Sequence, residues 1–330
     1  METVQGNRNE RPLLSVVIAA YNHSEYIRES IASALAQTYS NFEVVVVDDG
    51  SIDGTVDAIQ SFGTSVKFIQ VDRGGPSACL NAGLRACKGS YIAVTAGDDV
   101  CTPDRLVLQL EHALATNADV SFCLPHIIDG ASRILPDTDF PVFYALRTEG
   151  NIELADLFYN GNYLCASSAF MRTSLLYEVG VFDESLVQLS DYAYWMTNLA
   201  KGSRLSLSPH RTTKYRRHYS NLSGPANVPV VQAEIPYLLK KVIDSASPEV
   251  LRDAFKKYLA PLTGKQLPLS NFETAVLYFS HDYPAVRSLG LSFYDTALKS
   301  GELAALPNFD ALGFLINSLK RAEAPVGTEC

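Results

Sequence analysis

Along the N-terminal part of the chain, solid apolar runs alternate with stretches whose apolar residues recur every third or fourth position. Residues 44–47 are four valines closed off by the turn cluster Asp48-Asp49-Gly50-Ser51-Ile52-Asp53-Gly54-Thr55, and the run at 13–20 ends in Tyr21-Asn22-His23-Ser24. Solid runs of this kind belong to strands covered on both faces, as in a parallel sheet. Between them, residues 25–37 place Ile27, Ile31, Ala34 and Leu35 on one side of a helix. Strand, helix and strand in that order predict parallel pairing through a right-handed crossover. Further strands are expected at 66–71 and 90–95, and Ser51 or Asp53 is placed to cap a helix starting near Thr55.

The polar ends of these strands share one edge, and ligands of open α/β sheets collect outside the carboxyl ends of the strands. Asp49 can accept hydrogen bonds from a nucleobase or a ribose hydroxyl, and Tyr21 offers a flat face for stacking. The fourth strand runs into Ala96-Gly97-Asp98-Asp99, whose carboxylates suit a hard divalent cation. A metal shared by carboxylate and diphosphate neutralises charge on the leaving group. Together these features predict transfer of a group away from a nucleoside diphosphate. A single strand ending in Asp and Gly would be ordinary turn chemistry; three polar ends on one rim make a site.

Four ordered blocks, at 15–22, 47–55, 75–84 and 89–94, resemble family 2 glycosyltransferases, and the similarity runs from Leu13 to about Ser223. The resemblance implies an inverting enzyme with the GT-A fold, an α/β Rossmann-like mixed sheet flanked by helices, here with a helical C-terminal extension. It implies nucleotide contacts from Ala20, Tyr21, Asn22, Asp48, Asp49 and Asp98, and a Mn2+ or Mg2+ cofactor on Asp98, Asp99 and His218. Ala96 stands where the family's Asp-x-Asp-Asp element has its first acid, so Asp98 becomes the main metal ligand. The family draws its general base from a Glu-Asp pair opening a helix ahead of an aromatic residue. Ser190-Asp191-Tyr192-Ala193-Tyr194-Trp195 takes that place after Gly180-Val181-Phe182-Asp183-Glu184, so Asp191 is the expected base. An acid near a helix start is also a common structural preference. Tyr215-Arg216-Arg217-His218 resembles the family's Tyr-Arg-x-His block, which puts Arg216, Arg217 and His218 on the diphosphate; the plain alternative is a solvated basic stretch. Residues 162–172 resemble the acceptor floor, with Ser167, Ser168 and Trp195 expected at the acceptor. A short strand packing Phe170 and Met171 into the core would explain that segment equally well.

Composition narrows the partners. The 330 residues, 47% hydrophobic and 19% charged, can bury a substantial core. A net charge of −9 speaks against nucleic acid, which demands a basic face. No apolar run approaches the ~20 residues of a membrane span, and the polar start of the chain has no signal-like apolar segment. The expected location is the cytoplasm, with peripheral contact at the inner face of the membrane left open. The six cysteines show no Cys-x-x-Cys spacing and read as reduced thiols. The expected divisions are a polar tail at 1–12, a nucleotide-sugar half at 13–110, an acceptor half at 111–225 and a helical region at 226–330. In that last region Phe309, Leu312, Leu315, Ile316 and Leu319 mark an amphipathic helix, suited to packing on the protein or on a second subunit of a homo-oligomer more than on a membrane.

By resemblance the donor is a nucleotide-sugar, UDP-linked in the commonest case, and the acceptor a saccharide or lipid-linked saccharide of bacterial surface polysaccharide synthesis. Replacement of family acids by Ala96 and Ser190 keeps open a noncatalytic nucleotide-sugar-binding protein. A nucleotidyltransferase would need a glycine-rich basic loop where Tyr21-Asn22-His23-Ser24 stands, and no Gly-x-Gly-x-x-Gly supports a dehydrogenase.

Overall fold

The computed structural model describes residues 11–139, 141–144, 148–222, 227–259, 268–305, 310, 313, 314 and 317. The strands are β1 (Leu14–Ala20), β2 (Phe42–Asp48), β3 (Lys67–Gln70), β4 (Tyr91–Ala96), β5 (Val100–Cys101), β6 (Val120–Cys123), β7 (His126–Ile128), β8 (Ile134–Leu135), β9 (Gly150–Ile152), β10 (Phe170–Arg172), β11 (Leu205–Ser208) and β12 (Thr213–Arg216). The helices are α1 (Ile27–Leu35), α2 (Thr55–Gln60), α3 (Pro76–Ala86), α4 (Arg105–Thr116), α5 (Leu154–Asn160), α6 (Leu175–Glu178), α7 (Ser190–Ala200), α8 (Val228–Ser245), α9 (Pro248–Ala254), α10 (Lys256–Leu259), α11 (Asn271–Phe279) and α12 (Pro284–Lys299). The four expected strands and the first helix form at the expected places, with ends shifted by a residue or two.

Two units emerge. One takes the chain up to Asn151 together with Leu164–Val187 and Arg204–Tyr219; the other takes Ile152–Tyr163, Gln188–Ser203 and the chain from Ser220 onward. In this division α5 and α7 fall with the C-terminal helices.

The first unit is built on an eight-stranded sheet of order β3-β2-β1-β4-β10-β6-β11-β9. β1 lies parallel to both β2 and β4, with Leu14 opposite Phe42 on one side and Tyr91 on the other. β10 runs antiparallel to β4 and to β6, which makes the sheet mixed. A smaller sheet, β5-β12-β7-β8, pairs β12 antiparallel to β5 and parallel to β7. Val16, Ile18, Val44 and Val46 pack with Ile27, Ile31 and Phe170 in one core, so the solid apolar runs do mark strands buried on both faces. Helix α3 comes so near the sheet at Gly83 that a Cβ there would stand 2.6 Å from Val17 Cγ1 and 2.9 Å from Val47 Cγ2.

In the second unit, α11 opens with a capping box, the Ser270 hydroxyl accepting from the Glu273 amide and the Glu273 carboxylate from the Ser270 amide. Arg252 donates to both oxygens of Glu273, each bond 2.9 Å. Phe272, Val276, Phe279, Tyr294 and Ala297 form the core between α11 and α12. Pro248 and Pro284 stand at the starts of α9 and α12, where proline's missing amide costs nothing. The helix expected over 309–321 falls largely outside the described residues, as does the N-terminal tail. No helix among the described residues is long and apolar enough to cross a membrane. Cys79, Cys87, Cys101, Cys123 and Cys165 are free thiols, all but Cys87 buried.

Gly83→Ala should destabilise the protein by about 1–3 kcal/mol, the usual cost of forcing one carbon into a filled core. A fall in the urea midpoint at constant slope is the expected result.

Candidate active site

Carboxylates at the strand ends hold the rim of the first unit in place. Asp48, at the end of β2, is fully buried and accepts from the Ser51 amide at 2.9 Å and from the Ser51 hydroxyl. That hydroxyl in turn accepts the Asn22 amide at 2.8 Å, and the Asn22 side chain accepts the Ile52 amide at 3.0 Å. Asn22 adopts a left-handed conformation (φ 52°), which asparagine tolerates because its short polar side chain can bond locally. Asp53 does not cap α2 in the usual manner; it accepts the Thr55 amide at 2.9 Å and the Ser24 amide at 3.1 Å, closing the rim between the two strand ends. The Ala20 carbonyl accepts the Asp49 amide at 2.9 Å.

Asp49 accepts from the amides of Gly74 (2.8 Å) and Gly75 (3.0 Å) and so fixes the loop that follows β3. The preceding residue, Arg73, lays its guanidinium 3.5 Å above the Tyr21 ring, the face expected to stack a base. Arg73 and its neighbours Gly50, Gln70, Val71 and Asp72 line an open cavity of about 620 Å³. Sequence reasoning passed over Arg73; the available signal was a cation just ahead of Gly74-Gly75 at the same edge as Asp49 and Tyr21.

The acids after β4 form a tighter cluster. Gly97 is required by close approach, since a Cβ would lie 2.5 Å from His23 Nδ1 and 3.0 Å from Ala20 Cβ. Asp98 Oδ2 is 2.9 Å from His218 Nε2 and 4.0 Å from His23 Nε2. Burial alone would raise the Asp98 carboxyl, yet the hydrogen bond from His218 and the charges of His23 and His218 bring it below the usual range. Burial lowers His23, against the attraction of Asp98. Asp99 is driven the other way, to about 8, by burial and then by the charge of Asp98; its contacts with Ser167 and Arg216 only partly offset this. Asp99 Oδ1 accepts the Arg216 amide at 2.8 Å, whereas Oδ2 is buried with no hydrogen-bond partner among the described residues.

Among the described residues no three His, Cys, Asp or Glu side chains gather at metal-holding geometry. The expected ligands Asp98 and His218 are instead closed on each other. Their donor chemistry, carboxylate oxygen with imidazole nitrogen beside the unpartnered oxygen of Asp99, does suit a divalent cation.

Arg216, expected on the diphosphate, is fully buried and turned inward. It donates to the Asp98 carbonyl (2.7 Å), the Asp129 carbonyl (3.0 Å), the Ser132 hydroxyl (2.9 Å) and the Glu29 carboxylate (2.6 Å). Its guanidinium lies 4.8 Å from the centre of the Tyr26 ring, on which the His218 ring also stacks at 5.0 Å. Arg217 remains half-buried, its amide donating to the Ile128 carbonyl at 2.8 Å. Ser167 accepts the Ala96 amide at 3.2 Å. Ser168 is fully buried, donating to the Cys165 carbonyl (2.8 Å) and accepting the Cys123 amide (3.1 Å), which leaves no face for an acceptor sugar. Phe170 and Met171 do form a buried strand.

In the second unit, Asp191 stands in the first turn of α7. It accepts from Asn162 Nδ2 at 3.0 Å and from the Tyr192 amide at 2.7 Å. Its carboxyl is densely surrounded, and burial raises it to about 6 against the lowering effect of those two bonds. Trp195 is fully buried, with the Tyr194 ring edge-on at 5.4 Å, so it packs the helix in place of meeting an acceptor.

A mixed sheet with a parallel 3-2-1-4 half and acids at the end of β4 defines a GT-A fold. TarS 1–349 from S. aureus, solved in complex with UDP, superposes with a TM-score of 0.57 at 19% identity, over 90% of this chain and 94% of that one. The chain belongs to glycosyl transferase family 2, whose model matches residues 15–180. An uncharacterized glycosyltransferase of Rickettsia prowazekii is 33% identical over 190 residues, 56% of this chain and 58% of that protein. The succinoglycan biosynthesis protein ExoO of Rhizobium meliloti is 33% identical over 232 residues, 68% of this chain and 66% of its own length. The chain thus spans less than two thirds of either relative.

Arg216→Lys should destabilise the protein by about 3 kcal/mol, because one ammonium cannot serve the forked set of acceptors and leaves buried groups unpaired. Urea unfolding monitored by fluorescence checks this.

Proposed function

We propose that the chain is an inverting glycosyltransferase that moves a sugar from a nucleoside diphosphate donor, a UDP-sugar, to a saccharide or lipid-linked saccharide in bacterial surface polysaccharide synthesis. The observation that carries this reading is Asp191, a carboxyl raised to about 6 and held at a helix start by Asn162. A base poised near the working pH is what removal of a hydroxyl proton requires. The name of ExoO supports the polysaccharide setting, and the UDP bound to TarS supports the donor.

In this reading the nucleoside sits at the rim formed by Ala20, Tyr21, Asn22, Asp48 and Asp49, and a base stacking on Tyr21 displaces the Arg73 guanidinium from that ring. Asp191 takes the proton of the acceptor hydroxyl, whose oxygen bonds to the anomeric carbon from the side opposite the diphosphate. The bond from that carbon to the diphosphate oxygen breaks, and the electron pair leaves with the diphosphate. Asp98, with Asp99 and His218 beside it, would hold a divalent cation, which when bound neutralises charge on the leaving diphosphate. Arg217 and His218 of the same block are the phosphate-side candidates in this reading, while Arg216 braces the acid cluster through its internal acceptors. Ser167, next to Asp99, remains an acceptor-side candidate. A protein that binds the donor without turnover is the second reading, favoured by the direct closure of Asp98 on His218.

Asp191→Asn should lower transfer by about two to four orders of magnitude with donor affinity nearly intact; turnover above a tenth of wild type would remove Asp191 from this role. The variant should be at least as stable as wild type above pH 6, since a carboxyl raised to about 6 on folding costs stability once ionised. In the wild type, kcat/KM should climb through about pH 6 as Asp191 deprotonates into its basic form. A flat profile there contradicts the assignment.

Turnover should also require Mn2+ or Mg2+. Full activity after exhaustive chelation would shift leaving-group stabilisation onto His218 and Arg217. Donor binding by calorimetry with no sugar release under any metal would favour the second reading.

A further inference from the structure

Helix α7 opens without a side-chain cap. Its N-cap residue is Leu189, which has no polar atom to offer the first turn. The amide of Leu189 is nevertheless bonded, as is that of Gln188 before it. Both donate to one oxygen of Glu234 on α8, at 2.9 and 3.0 Å. In a capping box, an acid in the helix's own first turn accepts the amide of the N-cap residue. Here an acid from another helix accepts it, two residues ahead of Asp191.

We infer that Glu234 is a positioning residue for the base: α8 sets the turn that carries Asp191, so the C-terminal region takes part in catalysis by holding the backbone under that carboxylate. Asn162 holds the same carboxylate through its side chain, so Asp191 is fixed at both backbone and side chain. The bonds from both amides to a carboxylate are charge-assisted and stronger than neutral ones. This inference rests on Asp191 being the base, and it extends that reading by assigning work to a helix outside the residues matched by the family model, 15–180.

The test uses two mild variants of the full chain. Glu234→Asp withdraws the carboxylate by one methylene, whereas Glu234→Gln keeps an acceptor oxygen at the same reach. Turnover is read as UDP release from whichever UDP-hexose the wild type hydrolyses fastest, donor binding by calorimetry with UDP, and folding by thermal melting. Glu234→Asp should lower kcat about tenfold or more, the scale of a small misplacement of a reacting group, with UDP affinity and melting temperature close to wild type. Glu234→Gln should restore kcat to within about threefold of wild type, as a retained acceptor predicts. Amide exchange at Gln188 and Leu189 should quicken in Glu234→Asp alone.

Unchanged kcat in Glu234→Asp overturns the inference. So does loss of kcat, UDP affinity and melting temperature together in both variants, which would make Glu234 a general scaffold residue. The reading beneath it fails separately: if Asp191→Asn keeps its turnover, or the wild type turns over no donor, Asp191 is not the base and nothing is left for Glu234 to position. An inactive Asp191→Asn beside a fully active Glu234→Asp sinks this inference alone.

Discussion

A guanidinium shut away from solvent must find every acceptor within the protein, and Arg216 sets that constraint for the acid cluster of the first unit. Its donors reach the Asp98 carbonyl, the turn between β7 and β8, and Glu29 on α1, while its own amide holds Asp99. Burying a charge is costly unless its partners are well placed. Geometry this committed therefore restricts where β12, α1 and the end of β4 can stand relative to one another within that unit. Tyr26 extends the restriction to His218, its ring meeting both the Arg216 guanidinium and the His218 imidazole. The pairing of His218 with Asp98 thus follows from a cation that never meets solvent.

The same economy of means recurs at several turns of both units. Acids accept backbone amides: Asp48 from Ser51, Asp49 from Gly74 and Gly75, Asp53 from Thr55 and Ser24, and Glu234 from Gln188 and Leu189. An ionised acceptor forms stronger bonds to such donors than a neutral one. Loops that must present groups to a ligand gain rigidity without being buried in apolar contacts. The acids around the rim therefore act on the protein itself, ordering the turns that follow β2 and β3.

Much of this architecture was legible in the chain. Solid valine and isoleucine runs predict strands with two covered faces, and the turn clusters beyond them predict a ligand edge; both features depend on neighbouring residues alone. The Tyr-Arg-x-His block was also informative, since Arg216 and His218, two residues apart, both reach Asp98. What a local motif does not reveal is whether a side chain looks outward or inward, and Arg216 turned inward. Ser168 and Trp195 were expected at the acceptor through the family resemblance, and both are packed into the interior. Arg73 carried no motif, because its place over Tyr21 comes from a loop tied by Asp49. The smaller sheet and the grouping of α5 and α7 with the C-terminal helices depend on pairings between distant segments, to which local patterns are blind.

The antiparallel strand β10 has a consequence for how the sheet can be made. Strands β1 to β4 are close in sequence and form a continuous parallel block, so they can pair as soon as residue 96 is available. β6 follows them in the chain yet pairs with none of them; β10 is its bridge to β4, and β10 arrives only after β7, β8, β9 and α5 have been made. During synthesis, which runs from the N-terminus, the β4 edge waits with its hydrogen-bonding groups unpaired, the condition in which strands recruit the wrong neighbour. A three-residue strand late in the chain thus decides when the growing polypeptide stops being a half-sheet with an open side.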